Sequence, residues 1–515
     1  MINIDQIISR CSAIDTGRTL LQEPSGAALT PPEFADRVQR LAGGFLDLAG
    51  DHKAVVGLLA LNSVAYAETM CAAICAGHVC VPLNLRWSLS ELNYAVEDAG
   101  IEILVVDQVF YATALELAGS NHLIKHVYVT DSDCIDGPGK PLASLIGEPI
   151  TLTLGRDPDT QCLISYTGGT TGFPKGVVHT HASLTSSAIN MAIAGIPSKG
   201  SRYLIGVPLF HVSGFAFLFA RLLQLDPMVI LPRFSPDLIA QTVRVLEIDE
   251  VGLVPTMLQM LISDAAFNIA DYASLKRIFY GASPISQALL SDVSATFPEV
   301  ELTQVYGMTE VGVIMSLEPQ FHSGSMARPT ACGQPLALAR VRIEKESGEE
   351  CAEGEIGELV HYGRSLMAQY HNKQVETQEV MRNGGLRSGD AGFRDAMGVI
   401  TLCDRIKDMI ISGGENVYSA EVESVIAAHP SVAMVAIIGV PDKRFGEAVH
   451  AVIVPNPGPK PTLEAIRSHC QANLAGYKCP RSIELVEALP FSAMNKILKN
   501  VLREKYLART QGDDI

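Results

Sequence analysis

The chain has 515 residues, more than a single hydrophobic core sustains, and its length predicts about three folding units. Hydrophobic residues make up 48% and charged residues 18%, which excludes a disordered chain. Lys and Arg number 39 against 56 Asp and Glu, a net charge of −17 that disfavours a nucleic-acid partner because phosphate backbones would be repelled.

The amino terminus, MINIDQIISR, lacks a basic start followed by an apolar run, so no signal peptide is expected. From about residue 30 to 150, helical and strand signals alternate. PPEFADRVQRLAGGFLDLA carries apolar residues at helical spacing, AVVGLLA and HVCVPLN read as buried strands, ELNYAVEDAG as a helix and IEILVVD as a strand. This alternation predicts an α/β architecture with a largely parallel sheet. The eleven cysteines contain no CxxC pair. Cys71, Cys75 and Cys80 fall in an apolar stretch that reads as a buried helix running into a strand, so free core thiols in a reduced, cytoplasmic setting are expected.

Tyr166 to Gly176, YTGGTTGFPKG, is the most informative stretch. Its glycines let successive backbone N–H groups converge on an oxyanion, its threonines add hydroxyl donors, and Lys175 adds a cation. That is the chemistry of a polyphosphate cradle. It is not a Walker loop, since Lys175 is followed by Gly176 and then by extended chain. The flanking QCLISYT and VVHTH predict a loop between two strands.

A second α/β block runs from about 177 to 300, with VGLVPTMLQML and SLKRIFYGASP supplying strand and helix candidates. Its most apolar window, residues 203–220, is broken by Pro208 and His211 and is too short for a membrane span, though peripheral membrane contact stays open. QVYGMTE, residues 304–310, offers an aromatic ring, a hydroxyl and a carboxylate, and Glu310 is a hard oxygen ligand suited to Mg²⁺. From about 330 short strands and turns predict a small β-rich subdomain. Asp390 in GLRSGDAG sits on a turn and could accept from both hydroxyls of a ribose. Near Arg405 to Lys407 a boundary is expected, followed by a smaller α+β unit. Lys496, Lys499 and Arg503 fall at helical spacing and read by themselves as a solvated basic face.

In this order, the phosphate loop, QVYGMTE, SGD, DRIKDMI and NKILK resemble the adenylate-forming superfamily of acyl-CoA synthetases, adenylation domains and luciferases. The resemblance runs from about residue 17 to 505. It implies an N-terminal domain over 1–405, made of two α/β sheet subdomains and a small β-rich one, and a mobile C-terminal α+β domain over 406–515 with its hinge at Lys407. It also implies ATP, Mg²⁺ and CoA. Thr167, Gly168, Gly169, Thr170, Thr171, Gly172 and Lys175 would hold the β- and γ-phosphates. Ala282, Ser283 and Tyr306 would line the adenine, Thr309 would contact the α-phosphate, Glu310 would bind the metal, and Asp390 and Arg405 would contact the ribose. Lys496 would bridge the acyl carboxylate and the α-phosphate. Gly413 and Gly414 would form the pantetheine tunnel, and Tyr477 and Arg481 would meet the CoA nucleotide.

Four positions depart from the pattern: Gly168 stands for a usual Ser, Gly385 for a common Trp, Ser419 for a common Pro and Asn495 for a usual Gly. The family's amino-acid-activating members place an Asp where this chain has His211, so an amino acid would bury an unpaired ammonium here. His211, Val212, Met257, Val305, Gly307 and Gly312, with Phe215, Ala282 and Val313, suggest instead an apolar acyl pocket for a medium-chain fatty or aromatic acid. The expected reaction joins a small carboxylic acid to CoA through an acyl-adenylate. Transfer to a carrier-protein thiol or another acceptor is the alternative, and a homodimer is compatible with either. A non-enzymatic nucleotide-binding regulator fits poorly with Lys496, Glu310 and Asp390 all in place.

Overall fold

The helix Pro31–Ala49 shows how the predicted pattern becomes structure. Pro31 takes the first helical position, and the Glu33 carboxylate accepts from the N–H and hydroxyl of Thr30 at 2.8 and 2.7 Å. Phe34, Val38, Leu41 and Phe45 recur along one buried face. Burying each contributes about 1.5–3 kcal/mol. Carbonyls of Leu145 and Glu148 press against this helix where Gly44 and Gly43 stand, and a Cβ at either would collide with them. Gly44→Ala, whose Cβ would make the closer collision, would break this contact.

The computed structural model describes residues 2–14, 17–26, 28–133, 135–167, 174–491 and 497–512, with side chains to residue 509. An eight-stranded sheet runs in the order Gln369–Tyr370, Lys175–Thr180, Gln161–Thr167, Val79–Pro82, Val55–Leu59, Ile103–Val106, His126–Val129 and Lys140–Pro141. Its strands all run in one direction except Lys175–Thr180, which pairs antiparallel with both of its neighbours. The helices Val64–Cys75 and Leu89–Ala99 make parallel crossovers, as the alternating pattern predicts.

A second, thirteen-stranded sheet begins with parallel strands Leu21–Gln22, Met228–Ile230, Tyr203–Ile205, Glu250–Leu253, Arg277–Gly281 and Glu301–Met308. It continues through antiparallel strands Gly312–Leu317, Ala331–Pro335, Ile400–Arg405, Gly385–Arg394, Gly357–Tyr362 and Arg340–Glu344. The β-rich segment expected from about 330 is therefore hydrogen-bonded onto the second sheet. One apolar core joins the two sheets through the helices His181–Ile193 and Val212–Gln224.

A smaller C-terminal domain is built on strands Glu415–Val417, Ile410–Ser412, Gly446–Pro455 and Val432–Asp442, with Ser482–Leu485 parallel to Gly446–Pro455. Alternation along Val432–Asp442 sorts its side chains. Val435 and Ile437 pack with the helices Ser419–Ala427 and Leu463–Gln471, while Ala436, Ile438 and Val440 pack with Leu489 and with Leu502 of the helix Lys499–Gly512. Lys499 and Arg503 do not form the solvated face that their spacing suggests: Lys499 pairs with Glu423 at 2.7 Å and Arg503 with Asp408 at 2.9 Å. Among the described residues no helix is long and apolar enough to cross a membrane.

Candidate active site

Thr167 and Lys175 face each other as register partners at the open end of an antiparallel pair, with Tyr166 opposite Gly176. This is the strand–loop–strand arrangement that the flanking sequences predict. Gly168, Gly169, Thr170, Thr171 and Gly172 lie outside the described residues, as do Asn495 and Lys496. Tyr166 anchors the pair by donating its hydroxyl to Asp98 at 2.6 Å.

Thr309 and Glu310 occupy the two central positions of a turn closed by the Val311 N–H to the Met308 carbonyl at 3.0 Å. Both are 8% exposed. The turn joins Glu301–Met308 to Gly312–Leu317, and a register shift at Tyr306/Gly307 re-aims the chain just before it. Gly312 has φ +71°, and a Cβ there would meet the Ser187 hydroxyl. Tyr370 ties this turn to Lys175 at the start of the strand Lys175–Thr180. Its hydroxyl donates to Glu310 Oε1 at 2.8 Å, and the Lys175 ammonium lies 5.1 Å from its ring centroid. Burial and the adjacent Glu310 carboxylate push the Tyr370 phenol far up, so it stays a donor. Glu310 is nearly buried and forms no ion pair among the described residues, and the Tyr370 hydroxyl donates to it.

Asp390 and Arg405 are register partners on adjacent strands. The Arg405 guanidinium contacts Asp390 Oδ1 at 2.7 Å, and Tyr306 donates its hydroxyl to Oδ2 at 2.5 Å. Asp390 is 6% exposed, and its N–H donates to the Ser388 hydroxyl at 3.0 Å. Tyr306, Asp390 and Arg405 thus form one cluster. Burial, reinforced by the Asp390 charge, raises the Tyr306 phenol well above its ordinary range. Ala282 holds φ +66°, a left-handed conformation unusual for a residue with a side chain. Such strain persists where the surroundings over-determine it, often at a binding site.

The acyl-pocket candidates are divided. Val212 and Gly312 line one small cavity with His179, Ser187 and Phe215. His211, Met257, Val305 and Gly307 do not line it. His211 caps the helix Val212–Gln224, accepting from the Ser213 N–H at 3.3 Å. Met257 belongs to the apolar cluster on the other side of the second sheet's parallel strands, with Val207 and Leu253.

In the C-terminal domain, Gly413 and Gly414 are the two central residues of a tight hairpin between Ser412 and Glu415, with φ +66° and +86°. The Gly413 N–H donates to the Phe445 carbonyl at 2.8 Å. Arg481 stacks its guanidinium 3.8 Å from the Phe445 ring centroid, and Arg444 lies at 5.0 Å. Tyr477 is one-third exposed beside Lys478. Lys407 sits in the single turn Ile406–Asp408 that follows Arg405.

Sequence reasoning missed Tyr370 and Phe445. Neither stands in a recognisable motif, and each acts by a ring that joins segments far apart in the chain. Only aromatic residues bracketed by polar ones hinted at them.

The family described as "AMP-binding enzyme" matches residues 13–371, and its "AMP-binding enzyme C-terminal domain" matches 421–496. The feruloyl-CoA synthase of an Amycolatopsis species is 34% identical over 487 residues, covering 93% of this chain and 94% of that protein. The medium/long-chain-fatty-acid–CoA ligase FadD8 of Mycobacterium tuberculosis is 32% identical over 495 residues, covering 93% and 86%. The o-succinylbenzoate CoA synthetase of Bacillus subtilis, solved with its acyl-adenylate intermediate, superposes with a TM-score of 0.84 at 28% identity over 98% of each chain. Matched by these family models and relatives over most of its length, this chain belongs to the AMP-binding, adenylate-forming enzyme family.

Proposed function

We propose that this protein is an ATP-dependent carboxylic acid:CoA ligase that forms an acyl-adenylate with release of pyrophosphate and then passes the acyl group to CoA. The observation that carries the reading is the linkage of Lys175 to Glu310 through Tyr370, which puts a cation and a carboxylate on one ring at the mouth of the phosphate loop. The similarity to CoA ligases over most of the chain supports it.

The chemistry is charge management. A carboxylate must attack an anionic α-phosphate, so cations and oriented N–H groups must neutralise both partners. Lys175 and the loop would hold the β- and γ-phosphates, Thr309 the α-phosphate, and Lys496 would bridge it to the acid. The Asp390 carboxylate, oriented by Tyr306 and Arg405, would receive the ribose hydroxyls. Glu310 fits Mg²⁺, which takes one or two carboxylates and fills its sphere with water and phosphate oxygens, and no acidic cluster stands among the described residues to hold it alone. Bound there, Mg²⁺ would offset charge on the phosphates. CoA sulfur then attacks the acyl carbonyl and AMP leaves. The Gly413–Gly414 hairpin, Phe445 and Arg481 would guide CoA, and Lys407 would be the pivot between the two half-reactions.

The acid would be a medium-chain fatty or aromatic one, since the relatives include ligases named for both kinds. A cytoplasmic setting is supported by the cysteines, for all ten described are free thiols. The test is Mg²⁺- and ATP-dependent pyrophosphate release across aliphatic, aryl and amino acids, with and without CoA. CoA-dependent turnover of a fatty or aromatic acid is expected. Acid-dependent exchange of ATP with pyrophosphate that never yields a CoA thioester would overturn the CoA assignment.

A further inference from the structure

Glu310 is held at two points by one short segment. The Met367 N–H donates to its backbone carbonyl at 2.7 Å, and the Tyr370 hydroxyl donates to its Oε1 at 2.8 Å. The same segment adds the strand Gln369–Tyr370 to the edge of the first sheet. There Tyr370 is the register partner of Val177, two residues along the strand that Lys175 opens, and the Lys175 ammonium stands 5.1 Å from the Tyr370 ring centroid. Residues 367–370 therefore fasten the acidic turn of the second sheet to the edge of the first.

The next residue fixes the segment in place. The His371 N–H donates to the Gly176 carbonyl at 2.7 Å, and His371 Nε2 lies 3.0 Å from the Asp98 carbonyl. Asp98 is also the residue whose carboxylate accepts from Tyr166, so both strands that flank the phosphate loop share this anchor. Tyr370 itself is 7% exposed, and its N–H donates to the Thr377 hydroxyl at 2.9 Å. A ring packed this closely keeps one orientation.

We infer that Tyr370 is a positioning residue, orienting the Glu310 carboxylate for Mg²⁺ through its hydroxyl and placing Lys175 for the nucleotide phosphates through its ring. The inference rests on the ligase reading, which gives Glu310 to the metal and Lys175 to the phosphates. A carboxylate held by a donor on one oxygen keeps a fixed plane, and losing such a partner weakens metal binding by about 10- to 100-fold. A lysine stem samples many rotamers, and an aromatic ring beside its ammonium narrows them.

Tyr370→Phe removes the hydroxyl and keeps the ring, whereas Tyr370→Leu removes both. Each is first confirmed folded by its thermal melt, and the phenylalanine variant still decides the hydroxyl's role where leucine is not tolerated. ATP binding without metal is measured by calorimetry. Mn²⁺, the probe for the Mg²⁺ position, is then titrated into the ATP complex, with the free ion read by electron paramagnetic resonance. Tyr370→Phe should raise the Mn²⁺ Kd by about 10- to 100-fold and leave the metal-free ATP Kd unchanged. Excess Mg²⁺ should restore its pyrophosphate release. Tyr370→Leu should show the same metal defect and also raise the metal-free ATP Kd by about two- to fivefold. An unaltered Mn²⁺ Kd in Tyr370→Phe, or equal losses of metal and metal-free ATP affinity, would overturn the hydroxyl's role. Equal metal-free ATP affinities in the two variants would overturn the ring's role. Metal and nucleotide binding that tracks Tyr370 in a protein that releases no pyrophosphate with any acid would sink the ligase reading and leave the positioning role standing.

Discussion

Ser419 donates from both its backbone N–H and its hydroxyl to one carboxylate oxygen of Asp404, the hydroxyl at 2.6 Å. Asp404 lies at the end of the strand Ile400–Arg405 and Ser419 opens the helix Ser419–Ala427, so the pair spans the turn that carries Lys407. Lys499 donates to the same hydroxyl at 2.6 Å and pairs with Glu423, whose carboxyl is raised by burial against the opposing pull of Lys499.

Ser419 stands where the resembling family commonly has Pro. Proline is tolerated in the first helical turn, so Ser419→Pro removes two donors to Asp404 without breaking the helix. Each lost hydrogen bond to a charged group costs about 1.5–3 kcal/mol. Urea unfolding should show Ser419→Pro less stable than Ser419→Ala, which loses only the hydroxyl. Equal midpoints would mean that the Ser419 N–H adds nothing across the turn.

Tyr306→Phe should weaken ATP handling while leaving the fold intact. The phenol is a permanent donor to Asp390, and its loss leaves that carboxylate held by Arg405 alone. A charged-group hydrogen bond of about 1.5–3 kcal/mol corresponds to roughly 10- to 150-fold. The KM for ATP should rise within that range in a pyrophosphate-release assay. An unchanged KM would detach Asp390 from nucleotide binding.

Lys496→Ala and Gly414→Leu should separate the two half-reactions. The first is expected to abolish adenylation and to spare thioester formation from a supplied acyl-adenylate. For the second, a Cβ at Gly414 meets nothing within 4 Å, so the penalty is the left-handed backbone, about 1–2 kcal/mol. Exchange of ATP with pyrophosphate should persist in Gly414→Leu and CoA thioester formation should stop. Equal damage to both half-reactions in either variant would remove its assigned role.

Acid should unfold this protein through its buried histidines. Burial lowers His179 and His181 from 6.5 to about 4 and His361 to about 3. The unfolded rings take protons near pH 6.5 and the folded ones only near their lowered values. Stability is therefore full above pH 6.5 and falls as the pH drops through that window, by at most roughly 3–5 kcal/mol for each ring. Neither nitrogen of His361 has a hydrogen-bond partner. His361→Leu should accordingly flatten the fall between pH 6.5 and 4 in urea titrations, and an unaltered slope would show that His361 does not contribute to it.

The sequence was most legible where function demands a local run of backbone. QCLISYT and the chain after Lys175 form the two predicted strands, which the structure pairs antiparallel. The acyl slot was least legible. Val212 and Gly312 share a cavity while Met257 packs elsewhere, because apolar periodicity marks a buried face without saying which neighbour it meets.

By itself the sequence determined the alternating α/β architecture and the ordered motifs, since hydrophobic period and Gly, Pro and Asp placement act over a few residues. Only the tertiary structure decided which side chains share a site. Tyr306 reaches Asp390 across 84 residues of chain, and Tyr370 reaches Glu310 across 60 residues while its ring lies beside Lys175. Burial and pairing are properties of packing, and packing is set by contacts that no local window contains.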